Sequence, residues 1–172
     1  NSYNSAKEEL FKNGTFYIAA APNTESTVVK LAVDLANLVG SYSSFCDMAE
    51  LDSLIASSLT MPAVISNAIF NTAYKQNSWR ETAKLGGKVF FQMTRPEHSG
   101  AVDPSPEMML QNRENTVRML NEFILSLKEY RDALQNNDEA SLRNLLENTK
   151  EKREKWFDAY VTKEWRHEAS EK

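Results

Sequence analysis

A single cysteine, Cys46, stands in the 172 residues. It excludes an internal disulfide and any cysteine-cluster zinc site, and at a strand end it reads as a small hydrophobe. Histidine is almost as scarce, with only His98 and His167. Any serine nucleophile would need one of those two as its base, and no triad is visible. Glycine-rich dinucleotide and phosphate loops, H-E-x-x-H pairs, serine elbows and EF-hand loops are all missing. No apolar run reaches the roughly 18–20 residues free of polar groups that a membrane span needs. A basic-then-apolar leader is not evident at the start. The net charge of −4 argues against a sequence-independent nucleic-acid binder, which needs a basic surface. The expectation is a soluble, cytoplasmic protein with no nucleic-acid or membrane partner. Asn13-Gly14-Thr15 matches a glycosylation sequon, read as chance without a secretion signal.

What the chain does have is apolar helix. Hydrophobic residues make up 41% and charged residues 26%, enough for a core in one medium domain, or in one domain with a small appendage. The most distinctive stretch is 47–74, DMAELDSLIASSLTMPAVISNAIFNTAY. Asp47 is placed to cap a helix, with Glu50 three residues on as in a capping box. Leu54, Ile55, Leu59, Met61, Val64, Ile65, Ile69 and Phe70 then make it apolar nearly all round, the pattern of a helix buried in a domain or between subunits. Pro62 removes one backbone donor and crowds the preceding turn, so a kink or break near Leu59–Thr60 is expected. The stretch is therefore predicted to be the central helix pair on which the rest packs.

Upstream, a short polar helix over 5–11 should stop at Asn13-Gly14. The β-branched and aromatic run 15–20 reads as a strand. Asn23 or Thr24 then caps a helix with Val28, Leu31, Leu35 and Leu38 at helical spacing, and Gly40 ends it. A second short strand over 42–46 completes a strand–helix–strand unit of the kind found in parallel sheets. Two strands alone do not make a stable sheet, which suggests that 1–46 is the tail end of a larger α/β domain. Downstream, 75–81 is a turn or the start of a helix, and Leu85-Gly86-Gly87 marks a break. The proline- and glycine-containing loop 96–106 is long enough to suspect function. A helix from Pro106 to Leu134, roughly 40 Å long at 1.5 Å per residue, carries Val117, Leu120, Ile124, Leu127, Tyr130 and Leu134 as its stripe. Asn136-Asn137-Asp138 turns into a last helix with Leu142, Leu145, Leu146, Trp156, Phe157 and Tyr160. The fold class is thus mainly α: a helical domain over 47–172 with a long C-terminal hairpin, preceded by a small strand–helix–strand unit.

Chemistry alone singles out little. Arg95, between an apolar run and the loop, can recognise a carboxylate bidentately, although structural ion pairing is an equally good use of it. His98 lies in the suspected loop, where a lone histidine is most often solvated. Met108, Met109 and Met119 suit core or interface filling. The alternating charges of 150–155 suit an exposed helix face.

Read as an ordered pattern, the chain is more telling. LFKNGTFYIAAAPNTES, the segment from LVGSYSSFCDMAELDSL through TMPAVISNAI, LGGKVFFQMTRPEHSG and DPSPEMMLQNREN follow one another over nearly its whole length. This resembles the prephenate/arogenate dehydrogenases of tyrosine biosynthesis, most strongly at Leu10-Phe11, Leu51-Asp52, Met61-Pro62, Thr94-Arg95 and from Asp103 to Asn115. In that family of aromatic amino acid biosynthesis, a dinucleotide-binding domain precedes an all-helical domain that dimerises and helps form the substrate site. The resemblance implies a homodimer, a small carboxylate substrate of the aromatic pathway, and NAD or NADP held by an upstream domain. It assigns no cofactor-binding, metal-binding or catalytic residue to these 172 residues. Thr94-Arg95 matches the family's Thr-Arg pair, whose arginine contacts a substrate carboxylate. Thr60-Met61-Pro62-Ala63 stands where the family has His-Leu-Pro-His, one histidine being a usual substrate contact, and Leu51 stands where it often has another. Gln92 replaces an acidic residue expected before the Thr-Arg pair. The candidate substrate-binding residues are therefore Arg95, Thr94, Thr60 and His98. Hydride transfer needs a nicotinamide held against the substrate and a base on its hydroxyl, and this chain supplies neither. The alternative is a non-catalytic helical interaction domain that kept the fold and lost the histidines.

Overall fold

The computed structural model describes residues 9–94 and 105–162. Most of the expected helix over 5–11 lies outside them, and its described end is a turn. Asn13 there adopts a left-handed φ of 62°, which Asn tolerates better than other side chains. The turn closes onto the rest of its unit: Asn13 N–H donates to the Gly40 carbonyl at 2.7 Å and Tyr42 N–H to that of Gly14 at 2.9 Å. The buried Ser41 hydroxyl donates to the Phe11 carbonyl.

Strands β1 (Thr15–Ile18) and β2 (Tyr42–Phe45) pair in parallel, Thr15 opposite Tyr42 and Ile18 opposite Phe45. Helix α1 (Ser26–Leu38) connects them and packs on both, as a parallel crossover requires. It begins one or two residues later than expected, with Glu25 rather than Thr24 or Asn23 in the N-cap place and no side-chain cap. Gly40, at φ 72°, ends it. The least exposed positions of α1 are Val29, Ala32, Val33 and Ala36, not the stripe that the larger residues suggested. Small side chains let a helix approach a strand pair closely, so the leucines turn outward; Leu38 is 84% exposed.

Helix α2 (Met48–Ile55) starts as expected, with Glu50 N–H bonded to the Asp47 carboxylate at 2.7 Å. Of the kink or break expected near Leu59–Thr60, no break occurs, and the irregularity at that place is a widened turn. A π turn (Ala56–Thr60) joins α2 to α3 (Met61–Tyr74), so the helix runs unbroken from Met48 to Tyr74. Met61 N–H reaches back five residues to the Ala56 carbonyl. This wider turn relieves the clash that Pro62 would impose on a regular α-helix. By length and composition alone this helix qualifies as a membrane span. The sequence expectation discounted it because serines, threonines and asparagines interrupt its apolar run. Against α3 pack α4 (Trp79–Leu85) and α5 (Lys88–Thr94). Trp79 sits among Phe70, Tyr74 and Phe90 with ring centroids 5.3 to 6.4 Å apart, within the range of favourable aromatic pairs.

The single long helix expected from Pro106 is two helices, α6 (Pro106–Gln111) and α7 (Arg113–Gln135), interrupted at Asn112. Ser105 caps α6, accepting from Met108 N–H at 3.2 Å. Asn137, at φ 51°, turns the chain into α8 (Glu139–Thr162). Tyr130 and Thr149 hydroxyls meet at 3.4 Å across this antiparallel hairpin. Contacts divide the chain into two compact units, Asn1–Leu51 with Ser126–Lys172, and Asp52–Leu125. Among the described residues, the buried apolar positions are Ala36, Ala56 and Ala133.

Two outcomes follow from these termini. Gly40→Ala meets no steric obstacle beyond ordinary contact with Lys12, so its cost is the left-handed backbone alone, about 1–2 kcal/mol in urea unfolding. Asp138 caps α8, accepting from Ser141 N–H at 2.9 Å and its hydroxyl at 2.7 Å. Those two bonds, the backbone one first, hold its carboxyl below the usual carboxylate range. A depressed carboxyl stabilises above its unfolded value and loses that contribution as pH falls through its folded one. Asp138→Ala should therefore lower Tm at pH 7, and the difference from wild type should shrink as pH drops below the carboxylate range.

Candidate functional site

The polar residues of the unit Asp52–Leu125 converge on one seam between the central helix and the start of α7. Asn112, at the interruption between α6 and α7, sends its amide N–H to the Asp52 carbonyl at 2.6 Å. Its amide oxygen accepts from the Asn115 side chain at 3.0 Å. One turn on, Thr116 donates to the Asn112 carbonyl at 2.8 Å and lies 3.2 Å from the Thr60 hydroxyl. Thr60 is fully buried and Thr116 nearly so. Each hydroxyl has one proton. With that of Thr116 committed to Asn112, the Thr60–Thr116 contact holds a hydrogen bond only if Thr60 donates into it. The Ala56 carbonyl, 3.2 Å from the Thr60 hydroxyl, keeps its backbone bond from Met61. The Thr60 proton is thus shared between the Ala56 carbonyl and the Thr116 hydroxyl, each 3.2 Å away, while that of Thr116 goes to the Asn112 carbonyl. At the exposed margin, Arg118 donates to the Ser53 hydroxyl at 2.8 Å and to Asn115 at 3.3 Å.

Thr60, expected to face substrate, is placed here as a strut between two helices, with no exposed surface. Thr94 ends α5 half-buried, its hydroxyl donating to the Phe90 carbonyl at 2.8 Å. Arg95 and His98 lie outside the described residues. Beside the end of α5, an open, largely apolar cleft of ≈ 650 Å³ is lined by Ile69, Leu85, Val89, Phe90 and Met93, with Lys88 at its edge. Cys46 follows β2, and its N–H bonds the Ile18 carbonyl. Partial burial, then the Glu50 and Asp47 carboxylates, push its thiol up, which leaves it protonated and a poor nucleophile.

Sequence reasoning missed Asn112, Thr116 and Arg118. Asn112 and Thr116, four residues apart, were a legible signal: two small polar residues on one helix face where an apolar stripe was expected.

A parallel strand–helix–strand followed by a helical module with a long hairpin defines a protein of joined α/β and all-α parts. The model of the prephenate dehydrogenase dimerization domain matches residues 47–148, and the chain belongs to that family. Arogenate dehydrogenase from Synechocystis has a similar structure, with a TM-score of 0.77 and 19% identity over 89% of this chain and 56% of that one. Prephenate dehydrogenase from A. aeolicus, solved with hydroxyphenyl propionate and NAD+, has a TM-score of 0.79 and 19% identity over 88% of this chain and 53% of that one. At such identity the likeness is one of fold. The chain spans about half the length of these relatives. Among curated proteins no match is found.

Asn112→Ala would leave the Asp52 carbonyl without its side-chain donor and release Asn115. The expected cost is about 1–3 kcal/mol, read as a lower urea midpoint with an unchanged slope.

Proposed function

We propose that this chain is the dimerisation and substrate-pocket portion of a prephenate/arogenate dehydrogenase-like oxidoreductase of tyrosine biosynthesis. The carrying observation is the family match over 47–148 placed directly after a parallel strand–helix–strand. Residues 1–46 are then the tail of a dinucleotide-binding domain, and 47–172 the helical domain. NAD or NADP is held by the rest of that α/β domain, and the reaction's base comes from there too. Thr94 and Arg95 stand at the substrate carboxylate, Arg95 as its bidentate partner, with His98 three residues further on. Thr60 contributes through the seam, shaping the wall rather than touching the ring.

A homodimer follows from the same reading. Large apolar residues remain uncovered on the helical unit, among them Leu85 at 85% and Val89 at 75% exposure. Contiguous apolar surface of this kind marks an interface, and the family is a dimerization domain. A second reading, a non-catalytic dimerisation module, is favoured by one observation: Thr60 commits its hydroxyl proton inside the protein.

The natural polypeptide carrying this chain should oxidise prephenate or arogenate with NAD+ or NADP+. Arg95→Ala should cut kcat/KM by about 100-fold or more, as loss of a bidentate charged contact does. No turnover with either substrate would favour the non-catalytic module. Sedimentation should show a dimer at micromolar concentration, and a monomer there would sink the interface assignment.

A further inference from the structure

The π turn decides which side chain enters the seam. In a regular α-helix each residue advances about 100°. Eight residues, from Asp52 to Thr60, would therefore carry Thr60 about 80° past the face that holds Asp52. The residue absorbed by the wider π turn cancels most of that rotation. The observed face is Asp52, Ala56 and Thr60: the Asp52 carbonyl accepts from Asn112, and Ala56 and Thr60 are fully buried. Without the π turn the residue seven after Asp52, at about −20°, would point into the seam. That residue is Leu59, now half-buried.

Two features select Thr60 over Leu59, and they are independent. Pro62 cannot bond the Ser58 carbonyl and crowds it in an α register. Thr116 offers an acceptor that suits a hydroxyl and not a leucine methyl, its own proton being committed to Asn112. We propose that the π turn is a two-setting register joint. Pro62 and the Thr60–Thr116 pair hold Thr60 in the seam, and removal of both delivers Leu59 there, with the Asp52 face kept in place, and turns the helix segment after the joint. In the second setting the Asp52 carbonyl and Ser53 keep Asn112 and Arg118 while α3 turns relative to α2, so the joint couples the face of α3 to the side chain that α7 presents at Thr116. The joint stands on these contacts and does not depend on the proposed activity.

The test uses the full 172-residue chain with methyl-labelled leucine, valine and threonine, read by nuclear Overhauser effects and amide exchange. Wild type should show Thr60 and Thr116 methyls in contact, and a protected Met61 amide. Thr116→Val alone should keep that register with Met61 exchange faster by about 10-fold or more, the effect of losing one buried hydrogen bond, because Pro62 still opposes the alternative. The double variant Pro62→Ala/Thr116→Val should bring Leu59 methyls against the substituted side chain on α7, with Thr60 methyl contacts to that helix lost. Retention of Thr60 against that position in the double variant would overturn the proposal. So would its failure to fold, because no second setting would then be accessible.

Discussion

The architecture of the helical unit depends on a hydrogen bond between two buried hydroxyls. Thr60 and Thr116 meet at 3.2 Å with almost no solvent access, where an unpaired hydroxyl would cost about 1–3 kcal/mol. Each also reaches the carbonyl four residues before it, Thr60 that of Ala56 and Thr116 that of Asn112. Asn112 in turn uses its side chain to hold the backbone of Asp52. Two helix irregularities, the π turn and the interruption before α7, therefore face each other. Straighten either helix and the contacts between them, Thr60 with Thr116 and Asn112 with Asp52, are lost.

The apolar residues play a different part. Among the described residues alanines are the apolar side chains that are buried, while leucines, phenylalanines and tryptophans remain partly or largely exposed. Alanine against a helix or strand permits close approach but removes little area from water, and at about 25 cal/mol per Å² it stabilises weakly. Polar locks and caps fix the geometry here, and the larger apolar surfaces stay exposed. A dimerization-domain family is where such a division is expected.

Which parts of this were legible in the sequence follows from range. Local signals held: the Asp47 and Asp138 caps, the left-handed Gly40, the paired short strands and the turn at Asn137 are each set within a few residues. Signals that need a partner misled. The leucine stripe of α1 is at regular helical spacing, yet the helix lies on its alanines and valines, because strand packing selects size as well as polarity. The apolar periodicity of 106–134 concealed the interruption at Asn112, whose cause lies 60 residues away at Asp52. Pro62 was correctly read as a disturbance, but whether a helix breaks, kinks or widens depends on what receives the displaced residue. Here Thr116 does. For the candidate substrate residues, the resemblance named Thr94 and Thr60 by position in the chain, whereas where their hydroxyls go, to the Phe90 carbonyl and into the seam, depends on packing that the sequence does not carry.

That distinction bears on how the central helix should be understood. Its composition alone admits a domain core, a membrane span or a subunit interface. Thr60, Ser57 and Ser58 argue among these by where their protons go. Ser57 and Ser58 return theirs to the Leu54 carbonyl within the helix, which any apolar setting permits. The Thr60 proton has the Ala56 carbonyl within its own helix, but at the same 3.2 Å the hydroxyl also meets that of Thr116 on a second helix, and Asp52 accepts from a side chain at the head of that same helix. The side of the helix bearing these residues is thus fixed against α7 inside one unit. The remaining faces carry exposed Ser58, Asn67, Asn71 and Thr72 among the apolar residues, and a helix polar-locked on one side and mixed on the others fits a protein surface or interface better than a bilayer.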